Sequence, residues 1–518
     1  MSTRPHTASL NAARTPVIIG VGEISWRPQD LAAGLEPLSL MAAALHAAQT
    51  DALENAQPHV GAALLQAVDS LDVVCEHSWP YEDAPALLSA RMHMAPRHRA
   101  YAQAGGESPV RLLHEAARRI AEGESAIAAI VGAESSHTVA SAAKTGTPLN
   151  WTPRDQHASL LRGADICHPI AVAHGMVSPV QVYAFFENAL TAATSQTPQQ
   201  AQMESGTMWS HLSEVAEGNP YAWQRRRLAA QDIITPHERN RLITWPYTLS
   251  MVANPLVNMG AAIILTNLQL AHELGIPDDK LVYVLGGAQA QESRDYLARA
   301  NYWHVPAQEA VLEAAKDIAG GGSQPFQHME LYSCFPVVPK LARRVLGLPA
   351  DASLSVTGGL SYFGGPLNNY MSHGTAAMVR ALRAKPGDKG LLYGQGEYLT
   401  KHHAVVLSTA PSPHGQLQSD GGAQTQADVL RGPAPLLVAH HEGPAQLETH
   451  TVIFDRQGKP EFGTVIARTP EGARLMARVP ADDLVTMARL TSLSNSPVGL
   501  QGTVDAGPEQ RLHWRVAA

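Results

Sequence analysis

The stretch Val356–Val379, VTGGLSYFGGPLNNYMSHGTAAMV, is the most informative part of the sequence. It predicts a glycine-rich loop that leads into a helix, with His373 just before the apolar positions of that helix. Glycine has no side chain and accepts unusual dihedrals, so such a loop lets the backbone approach a bound ligand closely. A tight strand-to-helix connection without a ligand explains one glycine cluster about equally well. The rest of the chain is needed to choose between these interpretations.

On both sides of this loop, β-branched apolar runs alternate with segments of helical periodicity. In the first half we predict strands at Thr15–Ser25, Leu71–Cys75, Arg99–Ala104, Ala126–Gly132 and Asn258–Thr266, and helices at Pro37–Leu53 and Val110–Glu122. In the second half we predict strands at Leu281–Leu285, Met329–Phe335, Leu354–Thr357, Gly390–Tyr393 and Ala404–Ser408, and helices at Val305–Ala319, Val337–Leu346 and after Asn369. The alternation is typical of a β/α fold.

Composition places the chain among ordinary soluble proteins, with 45% hydrophobic and 16% charged residues. Its 518 residues suggest about three folding units at roughly 150 residues each. The net charge of −8 gives no reason to expect nucleic acid or an anionic membrane as a partner. No apolar run approaches the roughly 20 residues of a membrane helix, and the first residues lack the apolar core of a secretory signal. Three cysteines without a CxxC pair indicate a reducing compartment, so we expect a cytoplasmic protein. We expect it to be a monomer or a homodimer.

The glycine-rich loop resembles the GGxxxxGHPxG loop of the thiolase superfamily, which carries an active-site histidine. The matching positions are Gly358, Gly359, Leu360, Gly364, Pro366 and Leu367. Gly365 stands where the family has its histidine. The resemblance implies a duplicated thiolase fold of α-β-α-β-α layers, and it also implies that the usual chemistry is missing.

The nucleophilic cysteine of that family is also replaced. Ile120 and Gly123 match the family's Ile-x-x-Gly, and counting back from them puts Gly106 at the cysteine position, before a helix whose dipole would lower a thiolate pKa. Ser108 could substitute as nucleophile, but an N-cap serine followed by Pro109 is the favoured interpretation. Backbone N–H groups at Gly106 and Ser108 still offer a binding site for a carbonyl or an oxyanion.

Two tyrosines stand at the other catalytic positions that the resemblance implies. Tyr332 occupies the place of the Asn or His in the family's ELNEAF or ELHDCF strand, and Tyr393 that of the cysteine in Cys-x-Gly. The resemblance makes Tyr332 a candidate base and Tyr393 a second acid/base, although a strand-end tyrosine is more often a core residue. His373 is a candidate supporting donor or orienter, or equally a histidine bonded to backbone. We expect strand alternation to point Cys334 away from Tyr332.

The resemblance also predicts the domain organisation: residues 1–270 form the first thiolase half, with an inserted loop domain at 136–255, and residues 271–410 form the second half. Pro411–Thr425 is a polar linker, and residues 426–518 contain short strands that predict a small β-barrel, OB-like, without the basic stripe of a nucleic-acid binder. His168 and His174 lie in the insertion without a partnering carboxylate pattern, so a polar-loop role is favoured over metal binding.

A thiolase core followed by such a tail resembles the thiolase-like proteins of type 1. The resemblance implies an acyl-CoA ligand or substrate, with no cofactor and no metal. The glycines expected to contact it are Gly106, Gly364, Gly365 and Gly396. Two functions stay open: an enzyme that forms or cleaves a carbon–carbon bond in a CoA thioester without a covalent acyl-enzyme, by retro-aldol or Claisen-type chemistry, or a non-catalytic acyl-CoA binder or scaffold.

Overall fold

The computed structural model describes residues 10–54, 64–158, 160–412, 415–508 and 511–517. Its helices are α1 Pro37–Leu53, α2 Ala84–Arg91, α3 Ser108–Glu122, α4 Ser136–Thr145, α5 Pro169–Ala173, α6 Pro179–Ala193, α7 Pro198–Gly218, α8 Ala230–Ile234, α9 Leu268–Glu273, α10 Pro306–Ile318, α11 Val337–Val345, α12 Tyr370–Ala384, α13 Ala423–Leu430 and α14 Leu484–Leu490. Its strands are β1 Pro16–Ser25, β2 Ser70–Val73, β3 His98–Tyr101, β4 Ile127–Ser135, β5 Leu242–Thr244, β6 Tyr247–Thr248, β7 Asn258–Asn267, β8 Val282–Gln291, β9 His328–Leu331, β10 Lys389–Gly396, β11 Lys401–Ser408, β12 Gly443–Phe454, β13 Pro460–Arg468, β14 Arg474–Pro480, β15 Gln501–Ala506 and β16 Leu512–Val516.

A mixed sheet runs through the two β/α halves of the chain. Within the described residues, its strand order is β3-β2-β4-β7-β1-β8-β11-β10-β9. Strand β1 pairs with β7 along nearly its whole length but meets β8 only at Val17 and Ile18. Because the strands before this short seam come from the first half and those after it from the second, the predicted duplicated α/β fold is confirmed.

Helices α3 and α12 join the two halves. Helix α3 contacts β4 of the first half and β11 of the second, and α12 contacts β7 and β10 in the same way. Helix α12 is buried along most of its length, and even His373 and Thr375 are inaccessible to solvent. The start of α3 lies against β10, since a Cβ atom on Gly394 would be 3.0 Å from Glu107 Cα. The site discussed below forms at this contact.

The inserted segment, residues 136–255, contains helices α4 to α8 and the hairpin β5–β6. Helix α6 is its most buried element, with Phe185 and Phe186 inaccessible to solvent. It packs against α11 of the second half and β12 of the C-terminal region. The insertion therefore connects the two-half α/β core to the C-terminal strands.

The C-terminal strands form a closed barrel. In the part of the chain that the structure describes, β12, β13, β14, β16 and β15 close on themselves because β12 pairs with both β13 and β15. Leu447, Val465, Leu475 and Trp514 fill its core. The hairpin of the insertion extends this sheet, with Thr244 opposite Ile453. The predicted small β-barrel is confirmed.

The polar segment before the barrel is held against the second half. The Gln418 N–H donates to the Leu285 carbonyl at 2.9 Å, and Gln418 Nε2 donates to the Ile318 carbonyl at 3.2 Å. Helix α13 starts at Ala423, inside the predicted linker, and packs against α10. Residues 413 and 414 of the linker lie outside the described residues. The linker and domain boundaries stay predictions.

One predicted strand is absent. Leu354–Thr357 has no strand conformation, so this prediction is wrong. The Leu354 carbonyl accepts from Leu331, but the N–H groups of Val356 and Thr357 donate to the Glu330 carboxylate at 3.0 Å each. A side chain thus takes the hydrogen bonds that a neighbouring strand would have used.

Candidate active site

Glu330 fixes the start of the glycine-rich loop. Besides the two N–H groups named above, its carboxylate accepts from the Ser355 hydroxyl at 2.9 Å and from the Tyr370 hydroxyl at 2.6 Å. Burial raises the pKa of Glu330 to about 7, against the lowering effect of these hydrogen bonds. The end of β9, the loop and the first turn of α12 are therefore held together by one buried side chain.

Tyr332 fills the space that a side chain on Gly106 would need. A Cβ atom on Gly106 would lie 2.3 Å from the Tyr332 hydroxyl oxygen and 2.5 Å from the Gln395 carbonyl oxygen. Real Cβ atoms do not approach oxygen so closely, and the Gln395 carbonyl belongs to strand β10 and cannot move easily. The structure therefore brings two predicted site residues together, and it leaves no room for a side chain at position 106.

The Tyr332 hydroxyl is neutral and free to donate a hydrogen bond. Burial, the Cys334 thiol and Glu107 raise the pKa of Tyr332 well above its usual value. Among the described residues, none makes a hydrogen bond to this hydroxyl, and Tyr332 keeps 7% of its surface exposed. A neutral phenol donates a hydrogen bond but is a poor base. The geometry favours a donor role for Tyr332 over the predicted base.

Cys334 lies near Tyr332, contrary to expectation. Its thiol is 3.3 Å from Gln395 Nε2 and acts on the pKa of Tyr332. The expectation is wrong for two reasons: strand β9 ends at Leu331, and side chains two residues apart on a strand share a face in any case. Burial raises the pKa of Cys334 to about 12, so this sulfur stays a thiol at neutral pH.

Glu107 is the site residue that the sequence analysis missed. It follows Gly106, it is 6% exposed, and its Oε2 atom lacks a hydrogen-bond partner within the described structure. That atom lies 2.3 Å from a Cβ position on Gly105 and 2.0 Å from one on Gly396, so the carboxylate fits only because both neighbours are glycines. No motif marks a buried acid at this position. Only the assembled helix start and β10 show it.

The loop before α3 is tied to the glycine-rich loop. Asn368 Oδ1 accepts from the Gly105 N–H at 2.9 Å, and Asn368 Nδ2 donates to the Cys75 carbonyl at 2.8 Å. Ser108 is the first residue of α3 and its hydroxyl donates to the Gln103 carbonyl at 2.9 Å. The expected N-cap role of Ser108 is therefore wrong, because its hydroxyl points back to the loop instead of capping the helix.

Tyr393 faces away from Gly106, towards α10. Its hydroxyl is 2.9 Å from Gln308 Nε2 and 2.7 Å from His402 Nδ1. His402 Nε2 lies 2.9 Å from the Leu399 carbonyl, which identifies Nδ1 as the acceptor, and burial lowers the pKa of His402 to about 3. The Tyr393 hydroxyl thus donates to His402 and accepts from Gln308. Its acid/base role stays a prediction that these contacts do not support.

We expect the replacement of Tyr393 by phenylalanine to lower the free energy of unfolding by about 1 to 3 kcal/mol, because it leaves Gln308 and His402 without a buried partner. Tyr332→Phe removes no hydrogen bond within the described structure and should change stability by less than about 0.5 kcal/mol. Urea denaturation of the two matched variants measures the difference. Equal losses would contradict the assignment of the two hydroxyls.

His373 contacts a buried carboxylate. His373 Nδ1 is 2.6 Å from Glu23 Oε1, and the other oxygen of Glu23 accepts from Arg380. Burial acts to raise the pKa of Glu23, but the contacts with His373 and Arg380 outweigh it, so the pKa is lowered. His373 Nε2 has no partner in the described structure, and the ring packs against Phe363 at 5.3 Å between centroids. A supporting role for His373 stays a prediction.

The remaining predicted glycines separate into two places. Gly396 lies beside Glu107, as described above. Gly364 lies against Val257 and Met259, and the Gly365 N–H donates to the Asn254 carbonyl at 2.8 Å. The loop glycines thus contact the end of the insertion, whereas Gly106, Tyr332, Glu107 and Gly396 form the candidate active site. Substrate contacts of all these glycines and of Ser108 stay predictions.

The described residues contain no group of three or more His, Cys, Asp or Glu side chains placed to hold a metal ion. His168 instead caps α5, its Nδ1 accepting from the Ile170 N–H at 3.2 Å. Burial lowers the pKa of His174 to about 4.

No described helix is long and apolar enough to span a membrane.

A cavity of about 760 Å³ lies outside the candidate active site, between α3 and residues 415–420. His114 and His403 line it, with ring nitrogens 3.0 Å apart. Burial lowers the pKa of both histidines. None of the predicted site residues lines this cavity.

Two comparisons with known proteins cover the barrel and the whole chain. Residues 424–508 match the model of the thiolase-like protein type 1 additional C-terminal domain. The fold is similar to that of a monomeric SCP2-thiolase-like protein type 1 from Mycobacterium smegmatis, with a TM-score of 0.81, 28% identity, and coverage of 98% of this chain and 99% of that chain. The resemblance to the thiolase-like proteins of type 1 is confirmed.

More distant structures share only the fold with this chain. The Ltp2-ChsH2(DUF35) aldolase matches with a TM-score of 0.56 and 18% identity, covering 77% of this chain and 98% of that chain. Human mitochondrial 3-ketoacyl-CoA thiolase in complex with CoA matches with a TM-score of 0.54 and 12% identity, covering 77% of this chain and 99% of that chain. The comparison with curated protein sequences gave no match.

Proposed function

We propose that this protein binds an acyl-CoA thioester beside Tyr332 and forms or cleaves a carbon–carbon bond next to the thioester, without a covalent acyl-enzyme. The observation that carries the proposal is the Tyr332 hydroxyl in the space that a side chain on Gly106 would need. A thiolase fold with a hydrogen-bond donor in place of its nucleophile keeps the means to stabilise an enolate and loses the means to accept an acyl group.

The Tyr332 hydroxyl and the start of α3 supply the stabilisation. The neutral hydroxyl donates to the thioester oxygen, and backbone N–H groups at a helix N-terminus favour the negative charge that develops there. Retro-aldol cleavage and Claisen-type condensation both pass through such an enolate. Donors fixed before the reaction stabilise it without reorganisation.

The cysteines offer no alternative nucleophile. Burial raises the pKa of Cys75 and of Cys334 to about 12, and that of Cys167 to about 11. Covalent acyl transfer to cysteine requires the thiolate, which is negligible for such groups at neutral pH. The thiols of this chain therefore stay protonated under ordinary conditions.

Incubation with acetoacetyl-CoA and CoA should yield no acetyl-CoA above background, because position 106 carries no thiol and the three cysteines stay protonated. Intact-protein mass spectrometry should show no acyl adduct. An adduct on Ser108 or on Cys334 would contradict the absence of an acyl-enzyme.

An aldol-cleavage assay with 3-hydroxyacyl-CoA esters tests the catalytic proposal. Tyr332→Phe should lower kcat by roughly 100-fold or more, as the loss of one oxyanion donor does, and should leave acyl-CoA binding nearly intact. Tyr393→Phe is the matched control and should retain turnover. Unchanged turnover in Tyr332→Phe would remove Tyr332 from the reaction.

A non-catalytic acyl-CoA binder is the second candidate function. The two predicted acid/base residues favour it. A neutral Tyr332 donates a hydrogen bond but does not remove a proton, and the Tyr393 hydroxyl is engaged with Gln308 and His402. Saturable binding of acyl-CoA esters without turnover would support this alternative. A cytoplasmic location is proposed for either function.

A further inference from the structure

Glu107 is the buried acid of the candidate active site to which no role has been assigned. Its carboxylate is buried between Gly105 and Gly396, next to the Gly106 position that Tyr332 fills. Buried carboxylates normally have partners for both oxygens, yet Oε2 has none within the described residues. A buried carboxylate oxygen without a partner needs an explanation. A bound group that exchanges a proton with Glu107 would provide one.

Charged groups from three elements face this carboxylate. Lys401 of β11 and Arg111 of α3 favour its ionised form, and Glu397, just after β10, opposes it. Lys401 does not neutralise Glu107 directly, because its Nζ atom lies 3.0 Å from Glu397 and 3.4 Å from the Ala104 carbonyl. The fourth neighbour is Tyr332, whose hydroxyl stays neutral.

These surroundings hold Glu107 ready to gain or lose a proton. Burial raises the pKa of Glu107 to about 7, against the lowering effect of Lys401. A group that titrates near the working pH is suited to general acid/base catalysis, because both protonation states are populated. Neither tyrosine predicted for this role has such a pKa, since burial raises both.

We propose that the Glu107 carboxylate removes a proton from the α-carbon of the bound acyl-CoA, and returns it in the reverse direction. The inference rests on the proposed function. In this step the C–H bond breaks, its proton goes to Glu107, and its electron pair forms the enolate. The Tyr332 hydroxyl donates to the enolate oxygen. The step needs no cofactor and no covalent intermediate.

Deuterium exchange measures this step without knowledge of the second substrate. The full-length protein is incubated in D2O with acetyl-CoA, propanoyl-CoA or octanoyl-CoA, and mass spectrometry follows deuterium at the α-carbon. The variants are Glu107→Gln, Glu107→Asp and the control Glu122→Gln, whose carboxylate lies at the end of α3 in an ion pair with Arg118. Calorimetry with the same esters measures binding by each variant.

The wild type should exchange the α-hydrogens of at least one ester for deuterium. The rate should rise with pH and level off above about pH 7, as the base form of Glu107 accumulates. Glu107→Gln should lower the rate by roughly 100-fold or more with unchanged binding, and Glu122→Gln should match the wild type. Glu107→Asp should retain part of the exchange.

Four results would overturn the inference, and they can be told apart. Exchange that persists in Glu107→Gln, or a rate that does not depend on pH in the wild type, removes Glu107 as the base and leaves the proposed function standing. Binding by the wild type without exchange removes the proton-transfer step and favours the non-catalytic binder. Failure of the wild type to bind any of the esters removes the proposed function itself.

Discussion

Replacing Arg474 with leucine is expected to lower the free energy of unfolding by about 2 to 4 kcal/mol, because it removes the donor that the Leu297 and Arg299 carbonyls share and leaves Glu448 with Arg468 as its remaining partner. Arg474 is inaccessible to solvent and pairs with Glu448 through two hydrogen bonds of 2.8 Å and 2.5 Å. It also donates to the Leu297 and Arg299 carbonyls at 2.5 Å each, and its guanidinium lies 4.8 Å from the centre of the Tyr302 ring.

These contacts attach the barrel to the second half of the core. Arg474 begins β14 of the barrel, whereas residues 297–302 follow β8 of the central sheet. The loss should therefore exceed that of an ordinary surface change and should loosen the contact between barrel and core. Leucine keeps the apolar volume of the stem but returns none of the hydrogen bonds.

Urea denaturation measures the change, with Arg489→Leu as the control. Arg489 lies on α14 of the same barrel and is exposed, so its replacement should change stability by no more than about 0.5 kcal/mol. A loss below about 1 kcal/mol for Arg474→Leu would show that the buried pair is not needed to hold the barrel in place.

Adding a side chain to Gly106 is the second change with a large expected effect. Gly106→Ala should cost roughly 1 to 3 kcal/mol of stability, since its Cβ atom would overlap the Tyr332 hydroxyl and the Gln395 carbonyl. Gly106→Cys restores the residue type of ordinary thiolases but adds a sulfur to the same overlap. It should therefore destabilise the protein further and should not produce thiolase activity.

Gly365→Ala is the matched control. Gly365 stands at the histidine position of the family, yet the nearest atom to its Cβ position is the Asn254 carbonyl oxygen at 3.5 Å, an ordinary contact. Its replacement should be nearly neutral in stability. Thermal unfolding of the three variants compares them directly. An unchanged melting temperature for Gly106→Ala, or acetyl-CoA formation by Gly106→Cys, would contradict the steric account.

The sequence predicted the repeating elements well, because their patterns are local. Helix α1 has the predicted bounds Pro37–Leu53, and the predicted strand Thr15–Ser25 differs from β1 by one residue. Leu354–Thr357 failed because its hydrogen bonds go to Glu330, a side chain 24 or more residues away. Apolar periodicity carries no information about such a distant partner.

The candidate active site was predictable only in part. The thiolase resemblance located Gly106 and Tyr332, which are in contact in the structure. It could not show that Tyr393 turns towards Gln308 and His402, because the orientation of that side chain depends on α10. No sequence motif marked Glu107 as a site residue. Its altered acidity arises from burial that only the complete packing of α3 against β10 produces.

Isothermal titration calorimetry of the wild-type protein with a panel of acyl-CoA esters tests the central claim most directly. The account predicts saturable binding of at least one ester at one site per chain, and nearly the same affinity in Tyr332→Phe. The absence of binding heat with every ester of the panel, at temperatures where binding enthalpies differ, would contradict both the catalytic proposal and the non-catalytic binder.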